Sequence, residues 1–269
     1  MSPPAPPRWI PPLRLAGAWQ MAIDEWLLDQ AIHAPATAGA LLRFYAWRRP
    51  TVSIGFHQRR LPAHWLGLLE RGCVDLVRRP SGGRAVLHAG ELTYALIWPQ
   101  APQRRSLAYE QACDWLRVAF AELEQPLLFG RLAASAQRSS CFATSTAADL
   151  VHSDGAKRIG SAQLWRRGCL LQHGSLLLNP PPELWGELFD HPPPSLPPLP
   201  LEGAGLLAHL RRAAEHHWGP LQGQPLAERP LTPAEWKEIA LRVPRYGLSP
   251  EAWEGSGTTS PAATMPRAT

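Results

Sequence analysis

The chain has 269 residues, 45% of them hydrophobic, with a formal net charge of +5 and a sequence pI near 9.4. That length can bury a substantial core, and one domain with disordered ends accounts for it better than two full domains. The first dozen residues lack the apolar core of a signal peptide, no apolar run approaches the roughly 20 residues that span a bilayer, and no CxxC pair occurs. A cytoplasmic protein is expected, with no membrane role, disulfide framework or structural zinc. The basic balance favours acidic partners, but the arginines are scattered instead of lying along one helix face, which argues against nucleic acid.

Residues 1–14 are proline-rich and are read as a disordered end, with the domain running over 15–247. In WQMAIDEWLLDQA (19–31), Ala22, Ile23, Trp26 and Leu27 share one side and Asp24, Glu25 and Asp29 fall mostly elsewhere, which predicts an amphipathic helix. LLRFYAW (41–47) predicts a strand, and TVSIG (51–55) its partner across an Arg-Arg-Pro turn. Pro62 to Arg71 reads as a short helix stopped by Gly72.

The stretch VRRPSGGRAVLHAGELTYALIWP (77–99) follows as the end of one strand, a tight Ser81-Gly82-Gly83 turn, and two further strand-like runs. Paired glycines let the backbone reach positive φ and approach a ligand closely, while Arg78, Arg79 and Arg84 put positive charge around the turn. A plain glycine hairpin with solvated arginines fits the same local pattern.

Ser106 to Glu124 carries the clearest helical stripe, with Cys113 beside it as a packing residue. A small, polar loop spans 131–148, and three strands follow over 149–152, 157–165 and 169–178. Residues 180–200, dense in proline, read as a linker with no core element. Helices are predicted over 204–218 and 233–241, the second opened by a Thr232-Pro233-Ala234-Glu235 capping box. The tail 248–269 is expected to be disordered. Together these elements predict an α+β domain with an antiparallel or mixed sheet flanked by helices.

Two residues stand out chemically. Only two lysines, Lys157 and Lys237, occur among 27 basic residues, so a lysine marks a place where a compact ammonium is wanted. Lys157 starts a strand between Gly155 and Gly160, open to a ligand whose carbonyl it could polarise; an exposed hairpin lysine is the plainer alternative. Cys73, Cys113 and Cys169 each have an ordinary packing explanation. Cys141 lies in the polar loop, where nearby cations would favour its thiolate. An inert loop thiol is the competing possibility.

RRPSGGRAVLHAGELTY resembles the RRxSGGGAVxHxxGxxxY signature of the biotin/lipoate A/B protein ligase superfamily. GAKRIGSAQLWRRG resembles its GxKIxGxAQxRxxG segment, and LLQHGSLLLN its HGSxLL strand. MAIDEWLL and TVSIGFHQ resemble its early helix and VSIGxxQ strand, so the likeness covers about 19–179 in order. Arg84 replaces the third glycine of lipoate ligases, and the SSCF cysteine matches the acyl-accepting thiol of the LipM type of octanoyltransferase.

That resemblance implies a single catalytic domain and a covalent mechanism without cofactor or metal. Cys141 would take octanoyl from octanoyl acyl carrier protein, and a lysine of an apo lipoyl domain, such as the glycine-cleavage H protein, would receive it as an amide. Lys157 would hold the acyl carbonyl. The implied substrate-binding residues are Arg78, Arg79, Ser81, Gly82, Gly83, Arg84, Ala85, His88 and Tyr94 in the first motif, Gly160, Ser161 and Ala162 in the second, and His173 and Gly174 in the third. Val86, Leu87 and Tyr94 are candidates for lining an acyl channel, and His88 and His173 for handling protons. The alternatives are an ATP- and magnesium-dependent lipoate ligase, an amidotransferase between lipoyl domains, and a non-catalytic binding module.

Overall fold

The computed structural model describes residues 5–35, 37–130, 149–221 and 223–248. In chain order the elements are β1 (Arg8–Leu15), α1 (Gly17–His33), β2 (Leu41–Trp47), β3 (Thr51–Ile54), α2 (His64–Glu70), β4 (Asp75–Arg78), β5 (Val86–His88) and β6 (Glu91–Trp98). They continue with α3 (Arg105–Glu122), β7 (Leu128–Phe129), β8 (Leu150–Val151), β9 (Lys157–Arg166), β10 (Cys169–Leu177), α4 (Pro182–Phe189), α5 (Gly203–His217), β11 (Ala227–Glu228) and α6 (Pro233–Ala240).

Eight strands form one sheet in the order β11-β1-β2-β6-β10-β9-β8-β7, and β3 lies between β4 and β5 in a second. Both sheets are mixed. β1 runs parallel to β2 and β11, while β2, β6, β10 and β9 alternate in direction. β3 is parallel to β4 and antiparallel to β5. The expected α+β architecture is therefore present.

Helices α3 and α5 cover one face of the large sheet around Phe44, Trp115 and Leu210, and α1 and α6 cover the other around Tyr45, Leu171 and Ile239. The small sheet packs with α2 and α4 around Val52, Trp65 and Trp185. Some of these elements have purely local causes. The β9–β10 hairpin closes through Arg167 and Gly168, both at positive φ (48° and 79°), the pair of conformations that matches the twist of adjoining strands. At α6, Thr232 accepts from the Glu235 backbone N–H while the Glu235 side chain accepts from that of Thr232, forming the predicted capping box.

Several expectations are corrected. The stretch read as a disordered end contains β1, whose Trp9 and Ile10 are buried. Its register with β2 shifts between Ile10 and Leu13, where Pro11 and Pro12 have no N–H to give the ladder. β3 does not pair with β2; the chain leaves the large sheet there and starts the second one. The supposed linker contains α4, opened by Pro182 in the first turn, with Trp185 and Leu188 fully buried. Local proline density hid a helix that is stabilised by tertiary burial. Cys73, given a packing role, is exposed.

The largest correction concerns α1. It is not amphipathic in effect, because it packs at once on β6 and β10 of the large sheet, β4 of the small one, and α6. Gln20 and Asp24 are fully buried. Across the interface, Arg43 places its guanidinium 2.8 Å from Asp24 Oδ1, and the Tyr45 hydroxyl donates to Oδ2 at 3.0 Å. Arg43 also donates to the Gln20 carbonyl at 3.1 Å and stacks over the Tyr45 ring at 4.0 Å. Burial by itself would raise the Asp24 carboxyl's pKa; Arg43 and His173 outweigh it and hold the group below its ordinary value.

Trp185→Ala should cost about 3–5 kcal/mol in urea unfolding through the cavity it leaves, whereas a loss within about 0.5 kcal/mol would mean that α4 is a peripheral strap. Asp24→Asn should cost about 3–5 kcal/mol near neutral pH, because it leaves the Arg43 charge buried without its counter-ion. The pKa is lowered in the fold, so the ionised carboxylate's contribution is fully present above the ordinary value of 3.8 and is lost as pH falls through the folded-state value. The gap between wild type and variant should accordingly narrow below about pH 4 in acid titrations of stability.

Candidate functional site

A cleft is bordered by residues from both sheets and from α1. Met21 comes from α1, Tyr45 and Trp47 from β2, Ser53 from β3, and Val86 and His88 from β5. Thr93 comes from β6, Gly160, Ser161 and Ala162 from β9, and His173, Gly174 and Ser175 from β10. Arg79 and Gly83 of the glycine turn complete the border.

The turn is latched from within. Arg79, 5% exposed, donates to the carbonyls of Ser53 (2.8 Å), Gly82 (2.8 Å) and Arg84 (2.7 Å). Arg78 donates to the carbonyls of Gly55 (3.2 Å) and Gln58 (2.6 Å). Arg78 and Arg79 therefore stabilise the backbone around the turn, where the sequence reading had them offering charge to a ligand. Gly83 holds φ +95°, and a Cβ on Gly55 would lie 1.9 Å from the Gly83 carbonyl oxygen, so the turn rests directly on the end of β3. A Cβ on Gly82 would meet no heavy atom within 4 Å.

Two histidines face the cleft, each between a carboxylate and a serine. His173 Nδ1 lies 3.0 Å from Asp24 Oδ2 and its Nε2 lies 2.5 Å from Ser81 Oγ. His88 Nδ1 lies 3.0 Å from Glu91 Oε1 and its Nε2 lies 2.7 Å from Ser53 Oγ. In both, a carboxylate accepting from Nδ1–H leaves Nε2 as the acceptor of a serine O–H. Glu91 also accepts from Thr93 Oγ1 at 2.6 Å and from Ser175 Oγ, and Trp47 stacks on His88 with ring centroids 3.8 Å apart. Burial lowers the His88 pKa; Glu91 opposes that effect, and Arg79 and His173 add to it.

A third group braces the β9 wall. Tyr94 OH and Ser161 Oγ are 2.7 Å apart, and Gln172 Nε2 donates to Tyr94 OH at 2.8 Å. A Cβ on Gly174 would come within 2.4 Å of the Tyr94 ring, so glycine is required where that ring crosses β10. Cys113 lies behind this wall, fully buried, its thiol pushed up to about 11 by burial, in keeping with a packing role.

Of the residues singled out from sequence, Arg79, Gly83, His88, Gly160, Ser161, Ala162, His173 and Gly174 border the cleft, as does Val86. Ser81 and Tyr94 stand one hydrogen bond behind it. Ala85 and Leu87 are fully buried in the small-sheet core. Lys157 is not an open hairpin residue: it is 3% exposed, with Nζ 2.9 Å from Asp149 Oδ1. Cys141 lies outside the described residues. The sequence reading missed Met21, Tyr45, Trp47, Ser53, Thr93 and Ser175, and the carboxylates Asp24 and Glu91 behind the histidines. Met21, Asp24, Ser53, Glu91, Thr93 and Ser175 lie within the motifs quoted above, which was the available signal for them; the places of Tyr45 and Trp47, and the facing of residues such as Thr93 and Ser175, arise from pairing between distant strands.

Comparison with known proteins places this geometry in context. The model of the lipoyl protein ligase A/B catalytic domain matches residues 16–195. The chain is 35% identical over 187 residues to octanoyltransferase LipM of Geobacillus kaustophilus, covering 65% of this chain and 66% of the relative. It is 36% identical over 177 residues to that of Carboxydothermus hydrogenoformans, covering 64% and 65%. The matched region thus spans just under two thirds of each of these curated relatives.

Among solved structures, a lipoate-protein ligase A bound with ATP superposes with a TM-score of 0.71 at 17% identity, over 89% of this chain and 94% of that one. A bipartite lipoate protein ligase from Thermoplasma acidophilum gives 0.69 at 16% identity, over 96% and 99%. These likenesses establish the shared fold. The family match runs from α1 through the cleft strands into α4, and the chain belongs to the lipoyl protein ligase A/B catalytic domain family.

Proposed function

We propose that the chain is an octanoyltransferase of lipoate biosynthesis, moving octanoyl from octanoyl acyl carrier protein to a lysine of an apo lipoyl domain such as the glycine-cleavage H protein. One observation carries this reading beyond kinship. The cleft is bordered by serines, histidines, a threonine and an arginine, yet these side chains hydrogen-bond to one another or to backbone behind its surface. What they leave is a mainly carbon-lined slot, suited to an alkyl chain whose burial is worth about 0.8 kcal/mol per methylene.

In the proposed cycle the Cys141 thiolate attacks the donor thioester, the carrier thiol leaves, and an octanoyl thioester remains on the enzyme. The acceptor lysine then attacks that carbonyl, forming the amide and releasing Cys141. Thioester exchange is nearly balanced and amide formation is downhill, so ATP and metal are not needed. The Lys157 ammonium is proposed to hold the acyl oxygen as charge develops on it. Reaction in the cytoplasm fits both protein partners, and no described helix is long and apolar enough to cross a membrane.

Intact-mass spectrometry after mixing the protein with octanoyl acyl carrier protein, without ATP, tests the reading. The expected result is a mass gain of one octanoyl group that is labile to hydroxylamine and absent in Cys141→Ser. Lys157→Ala should slow its formation by about 10²–10³-fold, the usual effect of losing one oxyanion donor. Lack of an adduct, with acceptor modification only when ATP is supplied, would move the assignment to ligase chemistry.

A further inference from the structure

We propose that the loop following β3, residues 55–62, is the docking surface for the acidic donor carrier protein, with Phe56, Arg59 and Arg60 as its contact residues; this rests on the transferase reading above. The charge pattern around the loop is one-sided. No Asp or Glu occurs between Asp29 and Glu70, nor between Asp75 and Glu91. These two stretches meet in the fold, because the Phe56 backbone N–H donates to the Ser81 carbonyl at 2.9 Å and Arg78 reaches the carbonyls of Gly55 and Gln58. Loop and glycine turn thus build one surface to which neither contributes a carboxylate.

Within that surface the cations differ in availability. Arg78 and Arg79 are committed to backbone carbonyls. Arg59 and Arg60 are exposed and form no ion pair among the described residues, whereas Arg49 and Arg71, exposed elsewhere around the small sheet, are paired with Asp75 and Glu187. Burial holds the Arg78 guanidinium below its ordinary value and the Arg59 charge adds to that effect, so these two cations lie close enough to repel. An anionic surface laid over them would relieve that repulsion. Phe56, in the same loop, is 48% exposed, with the exposed His57 ring 5.1 Å away between centroids. An aromatic side chain beside unpaired cations has the composition of a protein contact, in which the ring is buried and the charges steer the approach.

Position and charge together select the partner. Gly83 is exposed and borders the cleft, and the loop starts two residues beyond Ser53, which borders it too. A protein seated on the loop therefore stands at the rim of the slot. The donor delivers its thioester on a pantetheine arm joined to the carrier through an anionic phosphodiester, so an arginine-rich rim attracts both the arm and the acidic carrier. The acceptor instead brings a lysine ammonium, which the same rim repels.

The test follows octanoyl loading by intact mass on wild type, on the double variant Arg59→Glu/Arg60→Glu and on Phe56→Ala. Two donors are compared: octanoyl acyl carrier protein, and octanoyl-pantetheine, which presents the thioester without protein or phosphate. Charge reversal should lower the second-order rate with the carrier by about 10–100-fold and flatten its fall with rising salt, with loading from octanoyl-pantetheine unchanged. Phe56→Ala should likewise slow only the carrier reaction. Transfer from preformed octanoyl-enzyme to the apo lipoyl domain should keep its wild-type rate in both variants. Equal slowing of both donors, or slowing of neither, overturns the docking surface while the transferase reading stands. A defect confined to the acceptor step does the same, and would assign the loop to the lipoyl domain. Wild-type protein that gains octanoyl from neither donor overturns the transferase reading, and the docking surface with it.

Discussion

The buried Asp24–Arg43 pair is the constraint around which this fold is arranged. A carboxylate and a guanidinium 2.8 Å apart, both essentially without solvent, join α1 to β2 at the centre of the molecule. Removing two such charges from water costs several kcal/mol per ion, and their attraction offsets that only when further hydrogen bonds complete the geometry. Gln20, Tyr45 and His173 supply most of them, and among the described residues only Arg43 Nη1 of this cluster is left without a partner. The result is a fixed spatial relation between a helix, a strand and the His173 ring. Through His173 it extends to Ser81 and thus to the glycine turn. An apolar contact of equal area could hold α1 on the sheet, but it would not orient an imidazole.

The second organising effect is the mutual satisfaction of polar side chains. Unpaired, the hydroxyls and rings at the cleft would each carry a desolvation cost of a few kcal/mol, and an alkyl ligand would displace their water at a loss. Paired as Ser–His–carboxylate chains, they turn their polar atoms towards one another and present carbon. The cleft is thus polar in composition and apolar in character. A pocket built from leucine and valine would offer a similar carbon surface, but it would not join β3, β5 and β6 through hydrogen bonds as Ser53, His88 and Glu91 do.

The same logic explains what could be read from sequence. Where the cause of an element was local, the pattern was sufficient: the apolar stripe of α3, the Arg167-Gly168 turn, and the Thr232–Glu235 capping box all appear as their residues predict. Where the cause was long-range, it was not. Asp24 and Arg43 look like solvent residues until α1 is placed between two sheets. Trp185 looks like part of a proline-rich linker until the small sheet supplies a partner for it. The strand motifs brought most of the cleft's border together, yet Glu91 and Ser53 gained their roles only when β3, β5 and β6 came together around His88.

Charge shows the limit of composition as a guide. A chain with 27 basic residues suggests a cationic surface, yet several arginines are internal fasteners. Arg79 binds three backbone carbonyls, Arg43 sits within the core, and Arg158, fully buried, donates to the Leu177 carbonyl at 3.0 Å. A planar fork with five donors suits that work better than a lysine. The two lysines then differ sharply. Lys237 is solvent-exposed in the last turn of α6, where a cation complements the helix dipole. Lys157 is buried beside Asp149. Asp149 takes one of the ammonium's N–H donors and so fixes the direction in which the group is held at the start of β9. In the proposed cycle Lys157 is therefore a rigidly oriented hydrogen-bond donor, a role that a solvated lysine of α6 could not fill.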